Sequence, residues 1–411
     1  MVLKALLCCA TLLSVVSAAH AQSEAAPPVL KFTTLSRAMG SATSIALGKN
    51  GVLYGTAETP GHCTGHIFSL TPPKPPATAW THKTLRSFNC NGGTGEPADL
   101  NDLFIDGDGT IYGTSAGGGG NGTPFGHGTI FSLTRNKTNP QNWDFHPLHR
   151  FNDNGKGIVP LAGLIKRNGV FYGTTSQSNA ASAKHGTVFS FVPPNGSNPA
   201  EHKVLHVFSG QLDGGAPRGR LLFHNGALFG TTSLNGRWGG GTAFKLTATS
   251  GIPGWKHETL AQFTGASGST PWSGLVVLKG STLIGTTASG VDNDNSGGMF
   301  SLTPPGKPVV IFKAAESTAG TLIYDEPLVD STGAIYVTAT YGGQKGGGSL
   351  IRLVAKPPAT LWHATILHSY KWCENAECGP AGPIVADAKG NLFGASKLDG
   401  VYQVAGSGFK P

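Results

Sequence analysis

Charged residues are scarce in this 411-residue chain: Asp, Glu, Lys and Arg together make up 13 %. The Lys and Arg residues are dispersed, with no run of five or six like charges. The net charge of +8 therefore reads as a solubility charge, with weak attraction to a polyanion as the sharper alternative. No nucleic-acid-binding motif accompanies it. After the first twenty residues, nothing approaches the about 18 consecutive apolar residues of a membrane-crossing helix. Close C-x-x-C spacings are missing, which argues against structural zinc. There is no P-loop, so the common nucleotide-binding signature drops out.

The first residues have the form of a removable leader. Lys4 precedes the apolar run Ala5–Val16, and Ala19-His20-Ala21 is an A-x-A cleavage site. The expectation is a signal peptide over 1–21, cleavage after Ala21, and an exported chain, periplasmic or extracellular, beginning at Gln22. Cys8 and Cys9 would leave with the leader. The remaining Cys63, Cys90, Cys373 and Cys378 form an even set, which in an exported protein suggests disulfides.

What is abundant is glycine, 61 residues, and much of it recurs in one phrase. Tyr54-Gly55-Thr56 returns as Tyr112-Gly113-Thr114, Tyr172-Gly173-Thr174 and Phe229-Gly230-Thr231. Weaker copies follow at Ile284-Gly285-Thr286, Tyr336-Val337-Thr338 and Phe393-Gly394-Ala395. The spacing of 52–60 residues marks a repeat architecture. Each copy resolves into four short strands, as in Pro160–Lys166, Val170–Thr174, Gly186–Phe191 and His202–Phe208. Four strands per unit match a propeller blade.

Third strands count to seven, from Ile67-Phe68-Ser69-Leu70 to Val401-Tyr402-Gln403-Val404. Fourth strands count to six, and the missing one has a candidate at the other end of the chain, Val29–Leu35. The predicted fold is all-β: a closed seven-bladed β-propeller of four-stranded blades, in which an N-terminal strand completes the last blade. A six-bladed ring or an open solenoid are the alternatives. Blades are expected near 39–90, 91–152, 153–210, 211–265, 266–314, 315–372, and 373–411 plus 27–37, in a single domain over 22–411.

Two phrases carry a family resemblance. Gly169-Val170-Phe171-Tyr172-Gly173-Thr174-Thr175 followed by Gly186-Thr187-Val188-Phe189, and Gly226–Thr232 followed by Gly241-Thr242-Ala243-Phe244, resemble the GloVer tandem repeat of exported bacterial proteins. The resemblance covers essentially the whole mature chain and supplies no catalytic residues. Members often carry a C-terminal surface anchor, from which this chain departs by ending at Pro411 after the last blade.

In a propeller, loops from second to third strand share one face with the connections between blades. Here these are long and variable, as in Ala116–Gly126, Ser176–His185 and Ser289–Gly298, whereas turns such as Asn225-Gly226 on the other face are short. Binding sites gather on long loops over a rigid scaffold. Cys63 and Cys90 fall on this face at adjacent positions, so Cys63–Cys90 is the expected pair, with Cys373–Cys378 pairing locally.

Exceptions to the repeat supply the site candidates. Inner strands follow Pro, two residues, a small residue and Leu, but Asp102 and Arg220 replace the small residue, with Arg218 just before. An acid and a guanidinium in a narrow channel could orient an anionic or polyhydroxy ligand; a structural ion pair is the bland alternative. Trp238, Trp272 and Trp372 depart from the tryptophan position that opens fourth strands and could stack on sugar rings or pack on loop glycines. Asp292-Asn293-Asp294-Asn295-Ser296-Gly297 resembles a calcium loop with oxygens from Asp292, Asp294 and Ser296, but Thr303 stands where the twelfth-position Glu belongs. No other cofactor is expected. The histidines read as structural; His127 and His185 align near His66 as one repeat position.

The resulting expectation is an exported, monomeric binding scaffold, with a glycan or an extracytoplasmic protein on the long-loop face. The rival is a lyase or hydrolase working at the channel mouth.

Overall fold

The Tyr-Gly-Thr phrase lies in the second strand of every blade, and each blade is a four-stranded antiparallel sheet. The computed structural model describes residues 29–37, 41–58, 65–88, 98–119, 126–152, 154–178, 185–250, 254–289, 296–314, 319–356, 360–373 and 379–411. Among them are seven such sheets arranged as a seven-bladed β-propeller, with no α-helix. From the centre outward, blade 3 consists of Ile165–Arg167, Val170–Thr175, Thr187–Val192 and Glu201–Val207. In blade 2 the inner strand is split into Ala98–Leu100 and Phe104–Ile105, both paired with Ile111–Gly117.

The glycine of the phrase is required by close approach. It faces the third-strand aromatic in register: Gly55 opposite Phe68, Gly113 opposite Phe131, Gly173 opposite Phe189, Gly230 opposite Phe244 and Gly285 opposite Phe300. A Cβ at these glycines would meet the tip of that ring at 2.4–2.6 Å, inside van der Waals contact. Blade 6 breaks the phrase with Val337, and there the facing residue is Ile351. The weak copy is thus a compensated pair, larger on one strand and smaller on the other, in the same core.

The threonines are buried hydrogen-bonding elements. The second Thr of the phrase pairs with the Thr that opens the third strand: Thr175 with Thr187 at 2.8 Å and Thr232 with Thr242 at 2.9 Å. The first Thr reaches the next blade, Thr114 donating to the Ala162 carbonyl and Thr231 to the Ser273 carbonyl, both at 2.8 Å.

Hydrophobic burial is divided into seven clusters, one between each pair of neighbouring blades. The cluster joining Ala42, Ile45 and Phe68 of blade 1 to Phe393, Ala395 and Val401 of blade 7 closes the ring. The predicted N-terminal closing strand is present as Lys31–Ser36, antiparallel to Gly400–Ala405 with Lys31 opposite Ala405. Pairing it there covers what would otherwise be an open edge.

The inner strand of blade 3 begins later than the sequence suggested. In blade 3 regular pairing starts at Ile165, because Val159 adopts φ 58° and turns the chain inward before Pro160. Ala216, Thr270 and Leu322 repeat this left-handed conformation at the entrance to the next blades. Each gives its N–H to the preceding blade: Val159 to the His127 carbonyl, Ala216 to His185, Thr270 to Gly240 and Leu322 to Ser296. The His127 and His185 repeat position therefore acts through its backbone.

Candidate site at the ring centre

Seven inner strands converge on the axis, and the residues just ahead of their conserved-size apolar position form stacked tiers. The narrowest tier holds Ser44, Asp102, Gly163, Arg220, Gly274, Glu326 and Pro383. Next outward come Thr43, Asn101, Ala162, Gly219, Ser273, Asp325 and Gly382, and at the rim Leu100, Leu161, Arg218, Trp272 and Tyr324. All of these but Gly163 line a cavity of about 330 Å³. A second cavity of about 370 Å³ continues along the ends of the same strands. Asp102, Arg220, Glu326 and Pro383 line both, so they form the waist of a central channel. The first cavity lies where the inner strands begin, which in this topology is the face of the long loops.

Arg220 and Glu326 make a bidentate pair across the waist, Nε to Oε2 at 3.2 Å and Nη2 to Oε1 at 2.8 Å. Attraction to Glu326 holds the guanidinium even more firmly protonated than usual. Gly274 lies between them: a Cβ there would meet the Arg220 carbonyl oxygen at 2.5 Å and Glu326 Oε2 at 2.7 Å. Ser44 Oγ donates to Asp102 Oδ1 at 2.5 Å.

In the middle tier, side chains pair with the first Thr of the repeat phrase in their own blade: Thr43 with Thr56 at 3.0 Å and Asn101 with Thr114 at 3.1 Å. Asp325 occupies the same position, and Thr338 Oγ1 donates to its Oδ2 at 2.7 Å. A carboxylate thus stands where the other blades place a neutral group. Burial raises its pKa to about 6, with nearby Asp102 adding to the rise. Behind it lie Tyr370 and Tyr402, fully buried, where other blades have phenylalanine.

At the rim three consecutive blades contribute one stack. Trp272 and Tyr324 lie with ring centroids 4.5 Å apart and planes 26° from parallel. The Arg218 guanidinium lies 4.5 Å from the Trp272 centroid.

A model of the Gloeobacter/Verrucomicrobia repeat matches residues 21–200 and 177–409. The chain belongs to the Gloeobacter/Verrucomicrobia repeat family. No curated protein matches this family member in sequence. Among solved structures it is similar to a catalytically inactive variant of virginiamycin B lyase from Staphylococcus aureus with quinupristin, at 14 % identity and a TM-score of 0.55, covering 92 % of this chain and 98 % of the lyase. It is also similar to the extracellular domain of a protein described as a hybrid two-component system from B. thetaiotaomicron, at 10 % identity and a TM-score of 0.54, covering 92 % of this chain and 39 % of that one. At such identities the likeness is one of fold.

Of the residues singled out from the sequence of this Gloeobacter/Verrucomicrobia repeat protein, Asp102, Arg218, Arg220 and Trp272 meet in the central cavity. Trp238 and Trp372 do not join them; each is 62 % exposed on the outer side of its blade. Arg220 is paired with Glu326, so an ion pair, one of the two roles open to it in the sequence, is formed. Asp292 and Asp294 lie outside the described residues, while Ser296 is buried. Among the described residues no three His, Cys, Asp or Glu side chains gather as metal ligands. Cys63, Cys90 and Cys378 also lie outside the described residues; Cys373, within them, is disulfide-bonded.

Tyr324, Asp325 and Glu326 escaped the sequence pattern because blade 6 replaces the expected Leu with Pro327. Spacing could have found them. The inner apolar residue precedes the aromatic of the repeat phrase by eight or nine residues in every blade, and counting back from Tyr336 lands on Pro327.

Proposed function

We propose that this protein is an exported binding propeller whose ligand occupies the central cavity on the long-loop face. The observation that carries this reading is the cavity itself, in which a Trp272–Tyr324 stack and three carboxylates converge, Asp102 from blade 2 and the adjacent Asp325 and Glu326 from blade 6. Concave sites with apolar walls and a few placed polar groups suit small ligands. With Arg220 neutralised by Glu326, the open groups in the depth of the cavity are hydrogen-bond acceptors, which favours a hydroxyl-rich ligand such as a glycan unit over an anion. The leader sequence supports export.

A glycan array probed with the purified protein tests this. Binding to carbohydrate is expected, and Trp272→Ala should weaken it about tenfold or more, the scale of a lost aromatic contact. Binding unchanged by Trp272→Ala and by Asp102→Asn would move the site elsewhere.

A second reading is catalysis at the same mouth. Asp325 favours it, since a carboxyl that titrates near 6 can take and return a proton at neutral pH. Turnover of an array ligand that disappears in Asp325→Asn would select this reading.

A further inference from the structure

We infer that the ligand of the central cavity carries an ammonium group on a sugar ring: an amino sugar with its nitrogen unacetylated. The inference rests on the reading of that cavity as a glycan site and names the class of glycan.

The charges around the cavity decide the class. Glu326 and Arg220 satisfy each other through two hydrogen bonds. Asp102 and Asp325 remain, Asp102 accepting from the Ser44 hydroxyl and Asp325 from the Thr338 hydroxyl and the Gly382 N–H. A carboxylate offers about four acceptor sites, so one or two donors leave half or more of that capacity open. Asp325 has no cationic side chain hydrogen-bonded to it, and the neighbouring Asp102 opposes its charge. An ammonium group entering here would meet two carboxylates in a shielded site, where charge-assisted hydrogen bonds are strongest.

Four further observations bear on the ligand. The chain as a whole is basic, at +8, so an acidic cavity runs against its overall field and is a local feature. The Trp272–Tyr324 stack forms the wall of the same cavity, which suits the apolar face of a sugar ring better than a bare alkyl chain. Arg218 sits at the rim with a buried Nε that has no hydrogen-bond partner, and its guanidinium places donors where ring hydroxyl oxygens can accept. A volume of about 330 Å³ is at the small end of ligand sites, matching one ring or two.

Calorimetric titration of the purified protein at pH 7 with four probes tests the inference: a β-1,4-linked glucosamine disaccharide, its N-acetylated counterpart, cellobiose and butylamine. The glucosamine disaccharide is expected to bind at least about tenfold more tightly than the other three, the scale of one charged hydrogen-bonded contact. Asp325→Asn keeps the shape of the side chain and should erase that preference, and a melting temperature no lower than that of the parent protein shows that the fold is kept. Equal binding of cellobiose or the N-acetylated sugar would overturn the ammonium inference and leave the glycan site standing. Equal binding of butylamine would overturn the sugar. Silence of every oligosaccharide would overturn the glycan reading and this inference with it.

Discussion

At the scale of the residue, the repeat phrase is a packing rule. Gly230 leaves room for Phe244, and the same geometry recurs in four other blades. Blade 6 solves the problem differently, with Val337 against Ile351. Gly230→Val should therefore cost more than about 3 kcal/mol through overpacking, and Phe244→Ile in the same chain should recover a large part of it. Denaturant midpoints of the two single variants and the double provide the measurement; a double variant no more stable than Gly230→Val alone would break the compensation argument. Pairing by register is only partly visible in sequence. Gly and Phe repeat at fixed offsets, but that they touch is set by the strand alignment.

At the scale of the element, the outer strands are joined across blades by stacked rings. His149 of blade 2 lies on His202 of blade 3 at 4.4 Å, and His206 of blade 3 lies on His257 of blade 4 at 4.3 Å. Phe32 of the closing strand stacks on His368 of blade 6 at 3.7 Å, and Arg86 of blade 1 lies over Phe145 of blade 2. Burial, then the charge of the stacked partner, lowers His202 to about 3 and His257 to about 4; burial also lowers His149, His206 and His368. These rings are neutral when folded and protonate more readily when unfolded. Stability is thus fully present above pH 6.5 and falls as pH drops toward 4 and 3, by at most about 1.4 kcal/mol per pH unit for each histidine. Asp325 works the other way: its raised pKa is a penalty above about 6 that is relieved as pH falls toward 4. The histidines outnumber it, so the unfolding midpoint is expected to fall between pH 6.5 and 4. Replacing the first stack by His149→Phe with His202→Phe should flatten that slope; an unchanged slope would remove the stacks as its cause. The sequence marked the histidines as structural, and it could not pair them, because each partner comes from a different blade, about 50 residues away or, for His368 and Phe32, at the other end of the chain.

At the scale of the whole molecule, stability depends on closing the ring. Lys31–Ser36 is the fourth strand of the last blade, and the Ala42–Phe68 and Phe393–Val401 core seals blade 7 to blade 1. Deleting residues 31–36 would leave Gly400–Ala405 as an unpaired edge, with a lower melting temperature and association between copies expected by size-exclusion chromatography. A peptide spanning Val29–Ser36 added in trans should reverse the association. If the truncated chain kept its full melting temperature, the closing strand would be dispensable.

Ring size and the closing strand were both legible along the chain, because each depends on local periodicity and on counting strands that must be paired. Asp102 and Arg220 were legible too, as breaks in a repeated position. The partner of Arg220 was not. Glu326 lies 106 residues away in a blade whose sequence had drifted, and only the convergence of inner strands on one axis brings the two together. Sequence by itself determined that seven similar units form a ring. Tertiary structure alone decided which exceptions share a cavity, because the neighbours of an inner-strand side chain lie across the channel, where chain order carries no record of distance.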